Sequence, residues 1–213
     1  MRYGGRLNRI EFTALIDQQA NRIRASATAL PLYGPAGWGG PCRIGAWGWE
    51  DDRLMHAGLL FGDPAAGPWI EVITTAGPPM PLLIDLRMSA AQADRADTAG
   101  GSAVEGAEGA DRRAPDRRAI ERALRAASSP APQRVAISVD GLPQPFSRWP
   151  DEPLGDPPGH GWLAILDEVP GLLLRVSGLL PAGITLARVG DIEPHLTGTR
   201  AHLLAGYDAY GTD

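Results

Sequence analysis

Lysine is absent from this chain, and all 20 basic residues are arginine. A Walker phosphate loop, a Schiff-base enzyme and a Ser-Lys hydrolase each need a lysine amine, so these three chemistries are excluded. Ala, Gly, Pro and Arg are all plentiful, which makes a GC-rich coding sequence the simplest cause. Cysteine is nearly absent as well. Cys42 stands alone, so neither an intrachain disulfide nor a Cys-rich zinc site can form.

Long apolar runs are missing too. The richest, Leu172 to Leu180, is too short for a membrane span and contains Arg175. The first residues carry Arg2, Arg6, Arg9, Glu11 and Asp17 in place of the apolar stretch of a secretory signal, so a cytoplasmic location is expected. Nor is there an excess of positive charge. A net charge of -5 argues against a general binder of nucleic acid or anionic membrane. No GxSxG elbow occurs, and the glycines at 34, 37, 39 and 40 lead into Pro41 and a strand, so the helix N-terminus that holds a pyrophosphate is missing.

What is present is a two-residue beat. Val135, Ile137 and Val139 alternate with Arg134, Ala136 and Ser138, and Asp140-Gly141 follows as a turn signal. Leu172, Leu174 and Val176 repeat the pattern, and Ile184 and Leu186 open a last strand. Successive side chains of an extended chain leave opposite faces, so this spacing predicts half-buried antiparallel strands. Earlier in the chain, strands are expected at Arg43–Trp49, Arg53–Phe61, Trp69–Thr75 and Leu82–Arg87, the first two joined by a tight Glu50-Asp51-Asp52 connection.

Helices are expected where the beat changes. Asn8 can cap a helix running to Leu30, with Phe12, Leu15, Ile16, Gln19, Ile23 and Ala27 on one face. Pro115 suits a first turn, and Ile120, Ala123, Leu124 and Ala127 form a second stripe. The tail, Asp191 to Ala205, reads as a helix interrupted by Pro194 and Gly198. Between the halves, 89–114 holds one large apolar side chain, Val104, too little to offset its ordering entropy. The expected fold is α+β: two helix-plus-antiparallel-meander lobes, 1–88 and 115–213, joined by a flexible 89–114 linker, with separate sheets or one shared sheet.

Four constellations could carry function. Arg112, Arg113, Arg117, Arg118, Arg122 and Arg125 form a basic helix face, but no aromatics interleave and the preceding linker is acidic, so a solvated surface explains them. Asp191, Glu193, His195 and His202 have the chemistry of an acid-base or metal site, but helical spacing points the first two apart. Cys42 and His56 would make a thiol-imidazole pair only if the fold brought them together, and a lone cysteine is more often a small core residue. Finally, strict alternation puts Arg43, Gly45, Trp47 and Trp49 on one strand face, with Trp69 joining from a neighbour. Rings beside an arginine have the composition of a contact hot spot, although they also suit a core under the first helix.

The reading that follows is an intracellular adaptor that binds another protein, without catalytic activity, through Arg43, Trp47, Trp49 and Trp69. A protein partner is expected, a second copy of the chain included; no catalytic residue, metal, cofactor or membrane is. The alternatives are a small hydrolase-like enzyme built on Asp191, Glu193, His195 and the 50–52 turn, and a nucleic-acid-associated protein using Arg112 to Arg125.

Overall fold

The capping box at Asn8 starts the first helix. Its side chain accepts hydrogen bonds from the amides of Ile10 and Glu11, each at 3.0 Å, and the Glu11 carboxylate accepts from the Asn8 amide at 3.0 Å. This helix, α1, covers Arg9–Ser26 and stops short of the expected Leu30, which is buried in the core together with Leu32. The structure is a computed structural model that describes residues 8–27, 29–87, 131–154, 160–168, 170–178 and 183–210. The 89–114 segment and the arginine-rich 112–125 stretch lie outside these residues.

Strands β1 (Tyr33–Pro35), β2 (Cys42–Glu50), β3 (Arg53–Gly62) and β4 (Trp69–Thr75) precede a helix α2 at residues 80–87. Strands β5 (Gln133–Val139), β6 (Leu142–Pro153), β7 (His160–Leu166), β8 (Gly171–Ser177) and β9 (Thr185–Arg188) follow, and α3 (Glu193–Tyr210) comes last. All nine strands belong to one sheet, ordered β1-β9-β5-β6-β7-β8-β4-β3-β2. Every pairing is antiparallel except that of β5 with β9. The architecture is therefore α+β with a mainly antiparallel sheet. The two halves of the chain share that sheet along β4–β8, and each lends an element to the other: β1 pairs with β9, and α3 packs on β2.

Turn chemistry sets the hairpins. Asp51 and Asp52 take φ of 43° and 62°, and Asp140 and Gly141 take 50° and 81°, the left-handed pairs that match the twist of two-residue connections. The 82–87 strand expectation is overturned. Pro79 and Pro81 fit the open first turn of a helix, where no amide donor is needed, and Leu82, Leu83 and Leu86 then fall at helical spacing on the core. In β6, Pro143 and Pro145 lie where the strand has β5 on one side only, since pairing with β7 begins at Ser147. Their missing amides cost no ladder bond there.

Both faces of the sheet are covered. On one face, Leu59, Phe61, Ile70, Val72, Leu174 and Val176 share one core with Phe146 and Leu186 of other strands, Ile23 of α1 and Leu196 of α3. Leu60, Trp69, Ile73, Leu163 and Leu173 meet α2 on the other. Strands β4 and β8 are consequently buried along nearly their whole length. The sheet curls until β1 crosses over β3, where a side chain at Gly34 would collide with the Phe61 ring. Among the described residues no helix is long and apolar enough to cross a membrane.

Candidate binding cleft between the two long helices

Helices α1 and α3 lie antiparallel and are stitched along their exposed side. Arg9 pairs with Asp208 at 3.1 Å, Asp17 with Arg200 at 3.1 Å, and Arg24 with Glu193 at 2.6 Å. The Arg24 guanidinium, hydrogen-bonded to Glu193, holds that carboxyl below its ordinary range. Phe12 stacks on Tyr207 with ring centres 4.9 Å apart. Exposed pairs of this kind each contribute about 0–1 kcal/mol, so they align the helices more than they clamp them.

The tail helix is continuous across both expected interruptions. Pro194 sits in its first turn, where a missing amide does no harm. Gly198 is where α3 meets the edge strand: a β-carbon there would collide with the Cys42 carbonyl oxygen. One residue on, the Thr199 hydroxyl accepts from the Ile44 amide at 2.7 Å and donates to the His195 carbonyl at 2.7 Å. Backbone and hydroxyl thus dock α3 directly on β2.

Helix α1 stands off. Only Ile16 and Ile23 are buried along it, and Leu15 remains 43% exposed. The gap left between α1, α3 and β2 is a cleft of about 180 Å³. Phe12, Leu15, Ala20, Trp47 and Leu203 are among its walls, and its polar contributors are Gln19 and Thr199. The Thr199 hydroxyl is already committed on both sides, so the cleft offers almost nothing but carbon. Apolar surface of this kind excludes ions and favours hydrophobic occupants.

Trp47, expected at a contact surface, forms part of this cleft. Trp49 is half-buried on the same face, with the Arg22 guanidinium 4.3 Å from its ring centre and Asp52 holding Arg22 at 2.9 Å. The expected single face Arg43–Gly45–Trp47–Trp49 does not form. A bulge between Ile44 and Ala46 inserts one residue, which reverses the alternation. Ile44 therefore shares the cleft with Trp47, while Arg43 pairs opposite Leu60, a residue of the other core. Trp69 is 1% exposed in that other core, across the sheet from Trp47.

The acid-base candidates do not converge. Asp191 accepts from the Glu193 amide at 2.9 Å, the start of α3, and Glu193 faces Arg24. His195 is buried edge-on to Phe61 at 5.2 Å, and its Nδ1 has no partner among the described residues. Burial pushes its pKa down, as it does for His56. Glu50, Asp51 and Asp52 close a hairpin. Cys42 and His56 are also separate: Cys42 pairs with Phe61 and His56 with Gly48, far apart along the same ladder, and burial raises the thiol pKa.

Sequence reasoning missed the charges on the α2 side. Glu71 and Arg175 are register partners on β4 and β8, each side chain 2% exposed, and their atoms meet at 2.6 Å. Arg175 also donates to the Leu154 carbonyl. Side chains at Gly45 or Gly58 would strike the Glu71 carboxylate, so two glycines make room for it. Nearby, Arg87 meets Glu152 at 2.7 Å and lies 5.3 Å from the centre of the Trp149 ring. The available signal was one charged residue of opposite sign inside each of two apolar strands. Compared with models of known families, with curated proteins and with solved structures, the chain matches none.

Proposed function

We propose that the chain is a binding protein that takes an apolar side chain of a partner protein into the cleft between α1 and α3. The carbon-lined cleft itself carries this reading: it is concave, contains Trp47 and opens beside the half-exposed Leu15. Aromatic anchors in desolvated pockets concentrate binding energy at protein contacts. The ion pairs along its rim carry both signs, which suits a partner of mixed charge and gives anionic nucleic acid no basic track. The enzyme alternative draws no support from Asp191, Glu193 and His195, whose side chains serve a helix start, a surface pair and the core. We infer as well that the protein acts in the cytoplasm.

Filling the cleft tests the reading. An Ala20→Leu variant places three more carbons into the gap and leaves every residue of α3 unchanged. The same bait with and without this change is compared in capture from native lysate, with circular dichroism confirming the fold. Loss of a partner that the wild-type chain retains is the expected result. Unchanged capture by the filled variant rejects the cleft as the contact.

A further inference from the structure

A second concavity lies at the opposite side of β1, independent of the helix cleft. Its near wall is the loop Pro35-Ala36-Gly37-Trp38-Gly39-Gly40, its far wall is Gly183-Ile184-Thr185, and Ile70 also lines it. It measures about 680 Å³, within the range of small-molecule sites.

The loop is pre-set by its own bonds. The Ala36 amide donates to the Thr185 carbonyl at 2.8 Å, which ties the two walls together. The Trp38 amide closes a turn on the Pro35 carbonyl at 3.3 Å, and its indole N–H donates to the Pro41 carbonyl at 3.1 Å. Phe61 meets the indole at an angle of 74°, ring centres 5.9 Å apart. The ring is thus fixed from several sides, yet 39% of Trp38 remains exposed. A large aromatic side chain held rigid and left open is a stacking surface obtained at little entropic cost.

The rest of the lining decides what could stack there. Among the described lining residues none is ionisable, so a charged ligand would lose hydration without gaining a counter-charge. The amides of Gly39 and Gly40 donate to no protein acceptor among the described residues. The indole itself packs over Gly40, while Gly39 faces open space, where the missing side chain lets a ligand approach the backbone closely. From these features we propose that the Trp38 cleft binds an uncharged ring-shaped small molecule, stacked on the indole and accepting hydrogen bonds from the Gly39 and Gly40 amides. A neutral pyranose and a neutral heteroaromatic ring both have this chemistry.

The test uses the full chain labelled with nitrogen-15. One arm titrates methyl glucoside, methyl galactoside and cellobiose; the other titrates uridine and adenosine. Saturable shifts of the Trp38 indole and of the Gly39 and Gly40 amides in either arm support the site, and the arm that saturates names the source. Trp38→Ala should weaken that binding by about tenfold, the loss of one stacking platform. A β-carbon at Gly39 meets no neighbour and the backbone angle is ordinary, so Gly39→Leu adds bulk at the cleft wall without displacing the fold. Ala20→Leu, in the helix cleft, should leave it unchanged. No saturable shift in either arm up to about 10 mM, ten times a weak millimolar dissociation constant, overturns the proposal, as does undiminished binding by Gly39→Leu.

Discussion

Helices α1 and α3 have the same length, 18 residues each, and run side by side against the same edge strand, yet they meet the sheet by opposite means. Helix α3 removes a side chain at the point of contact, Gly198, and its backbone comes down onto Cys42. Helix α1 presents Phe12, Leu15 and Ile16 at the cleft, and these hold it away. One helix becomes part of the wall and the other becomes a lid over a gap. The lesson is that the size of the residue at the contact, more than the strength of the apolar stripe, decides whether a helix makes core or cleft.

The comparison breaks most severely at Gly198. Valine there must displace either the Cys42 carbonyl or the whole helix, and should cost about 3 kcal/mol in urea unfolding. An unchanged midpoint would show that α3 is no more firmly seated than α1. The next effect comes from acid. His195 sits on α3 with its pKa lowered by burial, so below its ordinary range the unfolded chain binds a proton that the folded chain resists. Stability should therefore be full above about pH 6.5 and decline as pH falls through that value. The buried Nδ1 has no partner among the described residues, so His195→Leu should flatten part of this decline. His56, lowered for the same reason, adds to it. Thermal midpoints of both chains from pH 7.5 to about 5 check the sign.

Smaller effects sharpen the contrast. Ala20→Leu fills the gap under α1 and should raise stability by about 1 kcal/mol, where an equally tight packing of α1 would turn the change into a penalty. Least of all, Asp17→Asn removes the exposed partner of Arg200 and should shift unfolding by no more than about 0.5 kcal/mol, less still in high salt. A larger loss would mean that the ion pairs, and not Ile16 and Ile23, hold α1 down.

Local signals in the sequence were faithful where the cause was local. Asn8 caps its helix, Asp140-Gly141 turns its hairpin, and the two-residue beat marks β5 and β8. Readings failed where the cause was a neighbour distant in sequence. Pro143 and Pro145 disguise β6 because nothing in the chain announces that one side of that strand is open. Gly198 reads as a flaw until Cys42 is placed against it. For the candidate site, Trp47 was legible as an interesting ring, but its companions were not: one bulge at Gly45 moved Arg43 away from it, and Trp69 proved to face the other core. Glu71 and Arg175 stand 104 positions apart, and only the sheet order makes them a pair.

That same seam has a consequence for how the protein is made. Strand β4 leaves the ribosome early, and the strand that covers its open side, β8, is translated only much later. Until then the nascent chain displays a long, greasy, unpaired border, the kind of template on which strands from other molecules assemble. Slow translation or scarce chaperone should therefore harm this protein through aggregation during synthesis, well before any weakness of the finished fold is felt.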